Sequence, residues 1–257
     1  MKQKQPYTII HEDDHITAVN KAAGIAVSGD RWDESRERLD KLLGSFYTGP
    51  IFIVHRLDRD TSGIIVFARD EDTHRFLSKA FESRDVEKTY CAIVHGRPLW
   101  AETDCDLALA PDGDKLHRTV VDKHHGKKSF THFRLLLAAG AYSVVEARPA
   151  TGRTHQIRVH LASLGHPVVC DPLYGSRNSP KPVYLSGFKK GWRGDPLDEK
   201  PLLDRLGLHA AALSLPYPPG EDNKLTLQAP LPRDMAALIK QMEKAAGTSM
   251  NPINIYP

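Results

Sequence analysis

Cysteine is scarce in this chain. Three occur in 257 residues, Cys91, Cys105 and Cys170. They are widely spaced and odd in number, so neither a disulfide framework nor a C-x-x-C metal knuckle fits. Buried or half-buried thiols in a reducing compartment are expected instead. Long apolar runs are also missing: none approaches the roughly 20 residues that span a bilayer. The opening Met1-Lys2-Gln3-Lys4-Gln5-Pro6 is basic but has no apolar segment behind it, which does not fit a secretory signal. The cytoplasm is the expected location, with no membrane contact. Charge of one sign does not dominate either, since the net charge is only +3. Thirteen histidines prompt the thought of a metal-dependent hydrolase, yet no H-E-x-x-H or comparable ligand set occurs. His155 and His160, five apart, fall on different faces of a helix.

Positive charge is clustered, however. Lys115, Arg118, Lys123, Lys127, Lys128 and Arg134 follow one another with four histidines among them, and after Lys115 only Asp122 opposes them. Lys181, Lys189, Lys190 and Arg193 form a second cluster. Backbone phosphate is the main source of nonspecific nucleic-acid affinity, and such clusters suit it. Taken alone, each cluster is better explained as a solvated loop face.

Residues 7–10 and 16–20 are short apolar stretches around Glu12-Asp13-Asp14, the pattern of a β-hairpin. Residues 33–43 suit a short helix. Residues 51–54 and 64–68 are continuous apolar runs, expected as buried strands. Asp72 or Thr73 caps a helix with Phe76, Leu77, Ala80 and Phe81 at helical spacing. Strands are expected at 89–94, 130–137, 142–147, 208–215 and 225–227. A helix is expected at 235–244. At 154–163 Ile157, Val159 and Leu161 alternate as in a strand, but Ile157, Leu161 and Leu164 suit a helix, which is the expectation. Residues 176–207 are rich in proline, glycine and charge, and suit a long surface excursion. With no internal repeat and no clear linker, the expected architecture is one α+β unit on a mostly antiparallel sheet.

Two stretches carry the chemistry. The first is the polar loop His55-Arg56-Leu57-Asp58-Arg59-Asp60-Thr61-Ser62-Gly63 between two apolar runs, a place where a rigid scaffold presents a reactive group. Arg56 and Arg59 flank Asp58, and nearby cations favour an ionised carboxylate. A plain turn with local Asp and Ser hydrogen bonds fits the same residues. The second is Arg148-Pro149-Ala150-Thr151-Gly152-Arg153-Thr154-His155-Gln156-Ile157-Arg158-Val159-His160-Leu161. It is suited to holding phosphates or pairing with a carboxylate. A basic surface turn is the plainer reading.

Both strings resemble the signatures of the RluA-type RNA pseudouridine synthases. Asn20-Lys21, Lys88-Thr89-Tyr90, Gly165-His166-Pro167, Asp171-Pro172-Leu173-Tyr174-Gly175 and Leu208-His209-Ala210 also match, in family order and over most of the chain. The resemblance implies a long, mostly antiparallel (mixed) sheet flanked by helices, with residues 1–247 as a single catalytic domain and 248–257 as a frayed tail. It implies isomerisation of uridine to pseudouridine in ribosomal or transfer RNA, with no cofactor and no metal. By resemblance Asp58 is the essential carboxylate, Tyr90 the tyrosine that stacks on the target base, and Arg158 the arginine that pairs with the aspartate. Arg56 stands beside the flipped nucleotide and Ile157 in an apolar site near the base. Arg153 and His155 are further substrate contacts, and Lys123, Lys127 and Lys128 are weaker contacts to the RNA backbone. RNA is the one partner implied; no protein partner is, and a monomer is expected.

The reaction explains these residue types. The N1–C1′ bond breaks, the base rotates, and C5 rejoins C1′, so no atoms or electrons are gained. Asp58 is able to attack C1′ or C6 or to deprotonate the sugar, and these stay open. The base must leave its stack, at a cost of a few kcal/mol. Stacking on Tyr90 recovers about 1–3 kcal/mol of it. The chain departs from the family pattern in three places. Ala22 replaces the usual proline after Lys21, 176–207 is longer than typical, and the pattern starts too early for an N-terminal S4-type domain. A noncatalytic RNA-binding protein on the same fold is the remaining alternative, disfavoured by intact Asp58, Tyr90 and Arg158.

Overall fold

The computed structural model describes residues 6–29, 37–175, 181–189, 191–217 and 223–250. In chain order the elements begin β1 (Tyr7–Glu12), β2 (Ile16–Lys21), α1 (Leu39–Phe46), β3 (Phe52–Ile53), β4 (Ser62–Ala68) and α2 (Glu71–Ser83). They continue β5 (Glu87–His95), β6 (Glu102–Cys105), β7 (Leu109–Ala110), β8 (Val120–Val121), β9 (Thr131–Ala139) and β10 (Tyr142–Pro149). They close with α3 (Gln156–Ser163), a 3₁₀ turn at Leu185–Gly187, β11 (Leu208–Pro216), β12 (Lys224–Gln228) and α4 (Arg233–Ala246). The chain divides into two compact units, Met1–Lys88 with His209–Pro230, and Thr89–Leu208 with Leu231–Pro257. The α+β class expected from the sequence is what the structure shows.

In the first unit β1 and β2 form the expected hairpin, closed by Asp13, whose Oδ1 accepts from the N–H groups of His15 and Ile16. β2 continues antiparallel onto β4, from Ile16 opposite Ala68 to Lys21 opposite Gly63. All of β4 is buried. Its other edge carries β3 at one end and, in parallel, β11 at the other. β12 completes this part antiparallel to β11.

Three expectations need correction here. Residues 51–54 are half-buried, and only Phe52–Ile53 is strand. β3 meets β4 over two residue pairs only, and the Phe52 ring stacks on His74 of α2, with centroids 5.1 Å apart. The first helix begins at Leu39, because Arg38 is extended and bridges to Ala26; residues 33–36 lie outside the described residues. α2 is capped by Asp70, ahead of the residues the sequence suggested. Asp70 is extended and its carboxylate accepts from the N–H and hydroxyl of Thr73 at 2.8 Å each.

In the second unit β10 lies between β5 and β9, and β6 pairs with β9, all antiparallel. One face of these strands presents Ala92, Val94, Phe133, Val145 and Ala147 to α3, which answers with Ile157 and Leu161. α3 confirms the helical alternative for 154–163. β7 and β8 make a separate two-stranded sheet, with β8 inside the basic stretch and β7 just ahead of it. The expected surface excursion is only partly one: Val183 and Leu203 pair with each other and are buried, as is Leu206. Apolar residues set among prolines and glycines anchor what composition alone marks as loop. Residues 176–180 and 190 lie outside the described residues. Beyond α4, Met250 is buried and its N–H reaches Glu243 Oε1 at 2.7 Å, while 251–257 lie outside the described residues. All three cysteines are free and buried, as expected.

Candidate active site

The Asp58 loop is fastened mainly through its backbone. Lys21 is fully buried, and its Nζ donates to the carbonyls of Ala22 (3.0 Å), Ile25 (2.9 Å) and Arg59 (2.9 Å). One ammonium thus ties the turn after β2 to the residue following Asp58. Gly24 completes the tie: its N–H donates to the Arg59 carbonyl at 2.9 Å, and its own carbonyl accepts from Arg59 Nε at 3.0 Å. Inside the loop the Thr61 N–H closes a turn onto the Asp58 carbonyl at 3.1 Å. Leu57 is buried, Asp58 is half-buried and Arg56 is exposed.

Both ends of the loop are locked. At its start the His55 ring stacks on Phe81, centroids 4.5 Å apart, and Nε2 accepts the Val66 N–H at 3.0 Å. That acceptor role fixes a neutral ring with the proton on Nδ1. Burial, with Lys88 adding to it, pushes the His55 pKa down to about 3. At its end Gly63 has φ +119°, and a Cβ there would lie 2.2 Å from the Ala210 carbonyl oxygen. Only glycine fits this conformation and this approach of β11. Beside it the buried His209 joins Ser62 Oγ (3.0 Å from Nδ1) to the Ala229 carbonyl (3.1 Å from Nε2).

The second signature string crosses from β10 into α3. Thr151, Gln156, Ile157, Arg158 and His160 are buried, while Arg153 and His155 are half-buried. Gln156 uses its whole amide. Its Oε1 accepts from the Thr151 hydroxyl (2.6 Å) and the Arg153 N–H (3.0 Å), and its Nε2 donates to the Phe130 carbonyl and Thr131 hydroxyl (2.9 Å each). His160 sits between the hydroxyls of Ser129 and Thr131 at 3.0 Å, and burial lowers its pKa. Arg158 makes a two-pronged ion pair with Asp171, with both bonds at 2.8 Å. Burial alone would raise the Asp171 carboxyl. The Arg158 guanidinium and the N–H groups of Leu173 and Tyr174 outweigh burial and hold the carboxyl below its ordinary range.

The remaining site residues suggested by the sequence fall as follows. Tyr90 is half-buried on β5 opposite Ala147 and packs against the core that includes Ile157. Lys123, Lys127 and Lys128 are exposed, next to the small β7–β8 sheet. Among the described residues, no group of three or more His, Cys, Asp or Glu is arranged to hold a metal ion. No helix among them is long and apolar enough to cross a membrane.

Residues 15–163 match the family described as RNA pseudouridylate synthase. The chain belongs to that family. Ribosomal large subunit pseudouridine synthase D of Nitrosomonas europaea is 35% identical over 252 residues, covering 96% of this chain and 68% of that protein. Ribosomal large subunit pseudouridine synthase C of Vibrio cholerae is 34% identical over 242 residues, 93% of this chain and 70% of that protein. The structure of human RNA Pseudouridylate Synthase Domain Containing 1 matches with a TM-score of 0.69 at 25% identity, over 98% of this chain and 100% of that one. As an RNA pseudouridine synthase, this protein is an isomerase that converts uridine to pseudouridine. Sequence reasoning missed the fasteners of the two signature segments: Lys21, His55 and His209 around the first, and Gln156, Asp171 and Tyr174 around the second. All six stand inside strings that matched the family, but nothing in the strings says what each side chain touches.

Proposed function

We propose that this synthase acts on a uridine of large-subunit ribosomal RNA. The observation that carries the reading is its 35% identity, over 96% of its length, to a protein named for that substrate. Residues 1–247 act as one catalytic domain, as a monomer in the cytoplasm and without a cofactor. Asp58 is the catalytic carboxylate. Its place in a loop tied down by Lys21, His55 and Gly63 supports this, because a reacting group must be held within a fraction of an ångström.

Tyr90 stacks on the target base, Arg158 pairs with Asp58, and Arg56 stands beside the flipped nucleotide. Ile157 lies near the base, while Arg153 and His155 hold the substrate. Lys123, Lys127 and Lys128 supply sequence-independent affinity for the RNA backbone; their exposure, one-signed charge and common stretch support that role. Pseudouridine mapping in total RNA from cells with and without the gene tests the substrate. Loss of one large-subunit rRNA site, restored in vitro by purified protein in the presence of EDTA, is the expected result. Loss confined to transfer RNA would overturn the assignment.

A further inference from the structure

Arg158 is gripped by a residue to which no role has been given. Its Nε and Nη2 donate to Oδ2 and Oδ1 of Asp171, and both side chains are buried. A two-pronged pair fixes the plane of a guanidinium as well as its position. The same Oδ1 also accepts from the backbone N–H groups of Leu173 (2.9 Å) and Tyr174 (3.1 Å), so the carboxylate is itself immobile. Tyr174 lays its ring against the arginine, with Cζ 5.0 Å from the ring centroid. The Tyr174 hydroxyl is anchored in turn, accepting the Thr119 N–H at 3.0 Å and lying 2.8 Å from His155 Nδ1. Arg118, braced by Asp114, holds the Leu173 carbonyl at 2.8 Å.

The geometry points to Asp171 as a positioning residue that sets the orientation of the Arg158 guanidinium for the reaction, with Tyr174 bracing it. This rests on the reading that Arg158 acts in catalysis. Stability is a poor reason for such a pair: a buried ion pair gains little over well-packed apolar residues of similar size. What it does supply is a cation of fixed direction. Asp171 takes the Nε–Nη2 edge, so planarity turns Nη1 away from Asp171 along one set line. Without that grip the long side chain would sample several rotamers, and an arginine displaced by about 1 Å costs on the order of 10²-fold in rate.

The test compares single-turnover pseudouridine formation and RNA affinity in Asp171→Asn, Asp171→Glu, Arg158→Lys and the Asp171→Asn/Arg158→Lys double variant. Asp171→Asn is expected to slow turnover ~10²-fold while leaving RNA affinity within about twofold. The double variant is expected to be no more than about threefold slower than Arg158→Lys, because residues acting as one unit are not additive. A wild-type rate in folded Asp171→Asn beside an impaired Arg158→Lys overturns the proposal while sparing the reading of Arg158. Losses that multiply in the double variant overturn it too, since Asp171 would then act independently of the arginine. A wild-type rate in Arg158→Lys removes Arg158 from the mechanism and the proposal with it. Should Asp171→Asn not fold, Asp171→Glu decides: it keeps the charge and moves it by one methylene. A roughly 10-fold loss of rate at unchanged affinity supports the positioning role, and a wild-type rate overturns it.

Discussion

Around Asp58 the fasteners hold the main chain. Lys21 reaches three carbonyls, His55 receives a backbone N–H, and Gly63 lets β11 pass against bare backbone. Around Arg158 the functional side chain itself is held: a carboxylate grips the guanidinium, while the Gln156 amide ties the Thr151 and Thr131 hydroxyls to the main chain at Arg153 and Phe130. The difference follows from what each segment presents. A loop pinned by its backbone keeps a short carboxylate in place with little help. A long, flexible arginine on a helix needs its own head fixed, because the helix settles only where its Cα lies.

Asp58→Asn strikes the first segment at its chemistry and should have the largest effect. A loss of at least ~10⁴-fold in single-turnover rate is expected. RNA binding, which depends on Lys and Arg contacts with phosphate, should persist or tighten slightly. Normal turnover by the folded variant would overturn the assignment.

Gly63→Ala strikes the same segment at its backbone. A Cβ at 2.2 Å from the Ala210 carbonyl oxygen, with φ at +119°, forces β4 and β11 apart. A loss of about 3 kcal/mol or more is expected in denaturant unfolding. A change under about 0.5 kcal/mol, the usual size for an unremarkable surface site, would show that the crossing relaxes easily.

The neutral imidazole gives the first segment an acid sensitivity. His55 titrates near pH 6.5 when unfolded and at about 3 when folded. The unfolded chain therefore binds the extra proton between those values, and stability falls as pH drops through that window. The contribution is about 1.4 kcal/mol per pH unit at most. His55→Phe keeps the ring against Phe81 and removes the proton site. Urea midpoints measured from pH 7 to 4 should then slope less steeply than in the wild type, even if the variant is less stable throughout. An identical slope would mean that His55 is protonated in the folded protein. Asp171 has the opposite chemistry: its folded carboxyl is held low, so its contribution is intact above pH 4 and fades only below it.

The smallest effect belongs to the surface. Replacing Lys123, Lys127 and Lys128 with alanine should flatten the slope of log affinity against log salt by up to about 2. Single-turnover rate at saturating enzyme should hardly change. An unaltered slope would show that this stretch faces away from RNA.

The sequence determined a good deal alone. Apolar runs and alternation located the helices and most strands, because burying one face at the period of the element leaves its mark in residue order. The short β6, β7 and β8 carry no such mark and went unseen. The order of matching strings identified the family, and chemistry suggested a carboxylate between two arginines. Helix starts were less legible: Asp70, Asp72 and Thr73 are all good cap residues, and only the extended backbone at Asp70 selects it. What the tertiary structure alone decided is which groups meet. Arg158 and Asp171 are buried together, as are Ser62 and His209, and Lys21 meets Arg59 across two turns. Local sequence cannot specify such contacts, because a buried charge or imidazole is tolerable only beside a partner that the folding chain brings to it from elsewhere.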